Sequence, residues 1–171
     1  MKNLFFLLIL SLFTVSCQQD EFDTSKEILS YDKLIDSGKI NIQENETIKK
    51  MSHNDVKTFF NTVLLKHGKP EGISSIEILN GELINSNETT ILVAKSIDET
   101  IKVGAELVLM QDGSYNLNAK ETVTCEGCTQ GCNPGGSPGS WYCSSCEYNE
   151  RCKKKVVKEF TPAPDDPGNP S

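Results

Sequence analysis

The chain has 171 residues, of which 37% are hydrophobic, and its net charge is −7. This length fits one modest globular domain with appendages, and the hydrophobic content argues against wholesale disorder. An acidic chain lacks the basic surface that nucleic acids need, so no nucleic-acid partner is expected. The one basic run is interpreted as a solvated face rather than a polyanion site; it comprises Arg151, Lys153, Lys154, Lys155 and Lys158.

The N-terminus has the pattern of an export signal. Lys2 precedes an apolar run, residues 4–13, which has the length of a signal-peptide core and is too short to span a bilayer. Small residues then precede a cysteine in Thr14-Val15-Ser16-Cys17. This segment resembles the lipobox of bacterial lipoproteins, with Thr14 where leucine is usual. The resemblance implies that residues 1–16 are a signal peptide and that lipid on Cys17 anchors the protein to a membrane. The alternative is an ordinary secretory signal with an incidental cysteine.

The number of cysteines favours the lipid interpretation. The chain has seven, and an odd number leaves one without a disulfide partner in an exported protein. Residues 17–26 are therefore predicted to be a lipidated cysteine and a polar, acidic tether.

The Gln-Gln-Asp-Glu-Phe-Asp of residues 18–23 resembles the signal that follows the lipidated cysteine in surface-exposed lipoproteins of Bacteroidota-type bacteria. The resemblance implies an outer-membrane location facing outward; an inward-facing lipoprotein is the alternative.

Residues 27–124 are predicted to form an α+β domain. Leu34 and Ile35 favour a short helix that ends at Gly38. The strongest helix pattern covers residues 52–67, with Ser52 as N-cap and Asp55 as its capping-box partner. Apolar residues at helical spacing predict one buried stripe, made of Val56, Phe59, Phe60, Val63 and Leu64.

An antiparallel β-meander of four or five strands is predicted to follow the helix and to cover its stripe. The pair Asn80-Gly81 predicts a hairpin with a two-residue turn that leads to Leu83. Residues 90–97 and 101–109 are predicted strands, the second with strict alternation. Asp112-Gly113 predicts a turn into a strand that begins at Tyr115. Near this turn the strand pairing is expected to contain a bulge or a longer loop, or both faces of the strands are buried.

Residues 125–155 form a predicted cysteine-rich module with two similar halves. So few aliphatic residues cannot build a core, so the module needs cross-links or a metal. Three interpretations are open: structural disulfides, a zinc site, or thiol-disulfide chemistry at the second Cys-x-x-Cys. An exported protein favours disulfides among all six, with fifteen pairings allowed: Cys125, Cys128, Cys132, Cys143, Cys146 and Cys152. The zinc site would use the two Cys-x-x-Cys pairs, Cys125, Cys128, Cys143 and Cys146.

Three aromatic residues accompany the module. Trp141, Tyr142 and Tyr148 are interpreted either as a miniature core against the disulfides or as a contact patch for a partner. The remaining residues, 156–171, are predicted to be a Pro-rich disordered tail.

No catalytic constellation is found, and no cofactor or metal is assigned. His53 and His67 lie at opposite ends of the predicted helix, about 21 Å apart at 1.5 Å per residue. The sequence therefore indicates a membrane-anchored, non-catalytic binding or interaction module with an unknown protein or glycan partner. A zinc or redox protein that uses the cysteine patch is the alternative, and an inhibitor or protective protein is a second one.

Overall fold

The described part of the chain begins with a short helix and a hairpin. A computed structural model describes residues 29–44, 46–80, 89–146 and 151–158. The predicted signal peptide, Cys17, the tether, Tyr148 and residues 159–171 lie outside these ranges. Helix α1 (Tyr31–Asp36) precedes Gly38, whose φ of +63° suits glycine, so this predicted helix is present. Strands β1 (Ile40–Glu44) and β2 (Thr47–Lys50) then pair antiparallel; the sequence did not predict them.

The predicted amphipathic helix is α2 (His53–Lys66). Its capping box is complete: the Asp55 N–H donates to Ser52 Oγ at 3.2 Å, and the Ser52 N–H donates to Asp55 Oδ2 at 2.7 Å. All five residues of the predicted stripe are buried. His67 is the C-cap residue of the helix, and Gly68 after it has a φ of +70°.

The antiparallel meander has four consecutive strands. They are β3 (Ile73–Asn80), β4 (Thr90–Ser96), β5 (Ile101–Leu109) and β6 (Tyr115–Glu126). The two-residue turn predicted at Asn80-Gly81 is wrong, because Asn80 pairs with Thr90; Gly81 and Leu83 lie outside the described residues. Between β5 and β6 the loop is longer than two residues, since Leu109 pairs with Tyr115. A register shift follows at Ala105/Glu106, as expected for a bulge.

The meander belongs to a seven-stranded sheet. Its order is β2-β1-β6-β5-β4-β3, and β9 (Lys153–Lys158) pairs with β6 as well. The start of β6 pairs parallel with β1, while its end, from Glu121 to Glu126, pairs with β9. The basic run interpreted as a solvated face thus lies largely in an edge strand, where lysines discourage pairing with other chains. The module boundary predicted after residue 155 falls inside β9.

The helices cover one face of the sheet, and the module covers part of the other. The two helices pack on one face with a core that includes Phe60, Leu92 and Val103. The module packs on the other face, where Ile91, Val93 and Trp141 form a second core. The module itself contains the short strands β7 (Pro134–Gly135) and β8 (Tyr142–Cys143). Within the described ranges, neither helix has the length and apolar character needed to cross a bilayer.

Candidate functional site

The six module cysteines form three disulfides. Each bond joins one half of the module to the other, in the order first to fourth, second to fifth and third to sixth. The pairs are Cys125–Cys143, Cys128–Cys146 and Cys132–Cys152. Because Cys125 lies in β6 and Cys152 immediately precedes β9, the bonds fasten the module to the sheet.

This pairing bears on the two other interpretations of the cysteines. A zinc ribbon needs four thiolates, whereas all four of its proposed ligands are disulfide-bonded here. A redox Cys-x-x-Cys would alternate between a dithiol and a bond within the motif, but Cys143 and Cys146 are bonded to different residues of the other half. The sulfurs of Cys125, Cys143 and Cys152 lie within 4.8 Å of one another, and each belongs to a disulfide.

A buried lysine of the sheet holds the module loop. Lys102 in β5 is 4% exposed, and its ammonium donates to Gly131 O at 2.6 Å, Asn133 Oδ1 at 2.7 Å and Thr129 O at 3.3 Å. Burial, together with the nearby charge of Lys95, lowers the pKa of Lys102. Three oxygens on one ammonium provide the hydrogen bonds that a buried charge requires. The module is thereby positioned by charge as well as by disulfides.

The backbones of the module and the sheet also approach closely. A Cβ on Gly104 would lie 2.7 Å from Pro134 Cβ, so only glycine fits at this position of β5. From β9, Lys154 Nζ donates to Trp141 O at 2.7 Å. From β6, Glu121 Oε1 accepts from the Gly139 N–H at 2.7 Å.

The aromatic residues of the module differ in exposure. Trp141 is 4% exposed and packs in the core beneath the module, as the miniature-core interpretation expects. It is therefore not available as a contact residue in this structure. Tyr142 is 44% exposed, and its ring covers Gly135, where an added Cβ would lie 2.4 Å from the ring.

A shallow cleft lies beyond the module at the β1, β2 and β6 end of the sheet. It has a volume of about 270 Å³. Ile40 and Leu117 face the helices, so the alternation of the strands turns Asn41 and Asn116, which are register partners, to the opposite face. We call this feature the asparagine cleft; it is lined by Asn41, Ile48, Met110, Gln111, Asp112, Ser114 and Asn116.

Hydrogen bonds fix the orientation of the Asn41 side chain. Ser114 Oγ donates to Asp112 Oδ1 at 2.6 Å and accepts from Asn41 Nδ2 at 3.1 Å. Two hydrogen bonds from Ser114 lower the pKa of Asp112. Asn41 Oδ1 and Asn116 Oδ1 are both buried and accept no hydrogen bond from the described residues. Two acceptors of the cleft are thus unsatisfied, which ordinarily costs about 1–3 kcal/mol for each group.

The two histidines occupy separate sites at the ends of α2. His53 Nδ1 is hydrogen-bonded to the Tyr31 hydroxyl at 3.0 Å, which links α1 to α2. His67 is buried, and neither of its ring nitrogens has a partner in the part of the chain that the structure describes. Burial, assisted by the charges of Lys155 and Lys69, lowers the pKa of His67 to about 4.

Sequence reasoning located the cysteines and aromatics but missed Lys102 and the asparagine cleft. The alternation of β5 placed Lys102 on the face opposite the helices, where no partner for its ammonium was predicted. Asn116 was visible as a polar residue between apolar ones, but its neighbour Asn41 lies in a strand that was not predicted. No protein-family model, curated protein or solved structure matches the chain.

Proposed function

We propose that this protein is a lipid-anchored, non-catalytic binding module at the outer membrane, displayed on the cell surface. The observation that supports this most is the closed set of three disulfides. It uses all six distal cysteines, so Cys17 is the one cysteine of the seven that remains for lipid. More than one acyl chain on that residue would give stable membrane residence, which a single chain does not.

The same disulfides support an exported protein. Disulfides persist in oxidising compartments and are rare in the cytosol. The acidic residues after Cys17 support an outward orientation, because they resemble the signal of surface-exposed lipoproteins.

A binding role is supported by the way the module is held. The sheet, three disulfides and the Lys102 ammonium all constrain the same loops, so this face of the protein is rigid. Rigid surfaces bind with a smaller loss of conformational entropy than mobile ones. The partner is a protein or a glycan outside the cell.

Fractionation of cells tests the anchor. The Cys17→Ser variant is expected in the soluble fraction, while the wild type stays with the membrane and incorporates labelled palmitate. Cys132→Ser with Cys152→Ser is the matched control, because it removes cysteines without removing the predicted lipid site and should stay in the membrane. A Cys17→Ser variant that remains in the membrane would contradict the anchor.

The intact mass of the native protein tests the disulfides. We expect a mass lower than that of the reduced protein by six hydrogens, with no bound metal. Stoichiometric zinc, or free thiols in the module, would instead support the metal or redox alternative. Protease treatment of intact cells then distinguishes outward display from an inward-facing lipoprotein.

A further inference from the structure

We infer that the asparagine cleft binds one neutral sugar ring, either free or at the end of a glycan. This inference deepens the proposed binding function and depends on it. The cleft combines two covered and unsatisfied acceptors, a fixed hydrogen-bond network and an apolar wall within one small space, and each of these matches a different part of a sugar.

The first argument is the pair of unsatisfied acceptors. Asn41 Oδ1 and Asn116 Oδ1 need donors, and the described residues supply none. The orientation of Asn41 is set because its amide nitrogen already donates to Ser114 Oγ, so the oxygen is the group left over. Sugar hydroxyls donate and accept, and a ring carries several of them on neighbouring carbons. Two of them can satisfy both amide oxygens.

Asn118 provides an internal comparison. It lies two residues after Asn116 on the same strand, and its Nδ2 donates to Glu106 Oε2 at 2.8 Å. Asn118 does not line the cleft. The Asn118 amide oxygen also accepts from the Lys120 N–H at 3.2 Å, whereas the amide oxygens of the two asparagines inside the cleft have no partner among the described residues.

The second argument is the apolar wall. Ile48 is 58% exposed, and Met110 lines the same cleft. On the same face, Val108, the register partner of Asn116, is 42% exposed. A sugar ring combines hydroxyls with an apolar face of C–H groups, and that face packs on such side chains. The two amide oxygens are covered, so a hydroxyl reaches them only when a lining side chain moves, and the unbranched side chain of Met110 is flexible enough to do so.

The size and charge of the cleft argue against a larger ligand and against a calcium ion. The volume of about 270 Å³ is just below the roughly 300–1,000 Å³ of sites for drug-sized ligands, so it suits one ring. Calcium takes about six to eight oxygen ligands. The cleft offers one carboxylate, Asp112, which already accepts two hydrogen bonds from Ser114.

Ligand-detected NMR tests the inference on the full-length lipoprotein, kept in a detergent without a sugar headgroup. The probes are glucose, galactose, mannose and N-acetylglucosamine, followed by a polysaccharide that ends in the best of them. We expect at least one sugar to bind with a dissociation constant on the order of 1 mM, because few contacts are available. If the polysaccharide binds more tightly than the free sugar, the ligand is the end of a glycan. If the two bind equally, the ligand is the free sugar.

Variants locate the binding. Asn116→Leu should weaken it at least tenfold, while the matched control Asn118→Leu should leave it unchanged. Ile48→Ser serves as the second variant, since an exposed residue can be replaced without loss of folding; it should weaken binding severalfold. No saturable sugar binding, equal binding by Asn116→Leu and the wild type, or a response to calcium chloride alone would overturn the inference. The same variants are expected to stay in the membrane fraction. Release into the soluble fraction would count against the lipid anchor, whereas loss of sugar binding alone would count only against the ligand.

Discussion

Replacing Lys102 with methionine tests how strongly the sheet holds the disulfide module. Methionine keeps the length and apolar stem of lysine but removes the ammonium. It leaves Gly131 O and Asn133 Oδ1 without the donor that now lies 2.6 Å and 2.7 Å away, and it removes the longer bond to Thr129 O. All three acceptors belong to the loop between the first and fourth cysteines.

The expected cost follows from the geometry. Hydrogen bonds to a charged group contribute about 1.5–3 kcal/mol each. Lys102 makes two short ones, but its burial also carries a desolvation cost that methionine avoids. We therefore expect the free energy of unfolding to fall by about 2–3 kcal/mol.

Urea denaturation measures this change, with two signals from different parts of the molecule. Trp141 is the single tryptophan and is buried between module and sheet, so its fluorescence follows the module. Far-ultraviolet circular dichroism follows the sheet. Lys95→Met is the matched control, because Lys95 is the register partner of Lys102 on β4 but is paired with Glu77 at the surface. Its loss should cost about 0–1 kcal/mol.

Two results would refute the reasoning. If Lys102→Met and Lys95→Met had the same stability, the buried ammonium would not hold the module. If Lys102→Met cost as much in the fully reduced protein as in the oxidised one, its role would not depend on the module being fastened in place. In the reduced protein the loop is free to move away, so the expected cost there is under about 1 kcal/mol.

Three further changes test separate parts of the fold. Because burial lowers the pKa of His67 to about 4, the unfolded chain takes up this proton first as the pH falls. Stability is then lost between about pH 6.5 and 4, and the loss reaches about 2 kcal/mol at pH 5. The variant His67→Leu should remove this part of the acid sensitivity. Urea titrations at pH 5 and pH 8 measure the difference. Gly104→Ala should lower the melting temperature, because the added Cβ clashes with Pro134. Adding Pro134→Gly should restore the melting temperature in the double variant. If it does not, the clash with Pro134 is not the cause of the loss. Ser52→Ala should cost about 1 kcal/mol by calorimetry, since it removes the oxygen that accepts from the Asp55 N–H, and no change would mean that the cap is dispensable.

Local signals explain why α2 and the central strands were predictable. The capping box of Ser52 and Asp55 and the apolar stripe are both encoded within sixteen residues, so no distant contact is needed to recognise them. The alternation of β5 similarly reflects the apolar face that packs against the helices. A loop longer than two residues was foreseeable because simple pairing about the Asp112-Gly113 turn left leucines opposite asparagines, and the longer loop pairs Leu107 with Leu117 instead.

Long-range pairing explains what the sequence could not predict. Strand β9 is mostly lysine, and it is a strand because β6 offers it a free edge. The two-residue turn at Asn80-Gly81 was a sound local inference, but the pairing of β3 with β4 starts at Thr90 instead. The disulfide pattern is one of fifteen, and only the folded positions of the two halves select it.

The asparagine cleft and the disulfide module are consequences of the same sheet. Strand β6 is long enough to pair with β1 at its start and with β9 at its end, and the three-residue surplus near Asn118 lies between these two parts. The end that pairs with β9 is covered by the module, while the start that pairs with β1 is left open and polar. The disulfides and Lys102 fasten the module over the covered half of the sheet. In the open half, the pairing of β1 with β6 itself holds Asn41 beside Asn116, so the place where the proposed ligand binds is built by the sheet alone.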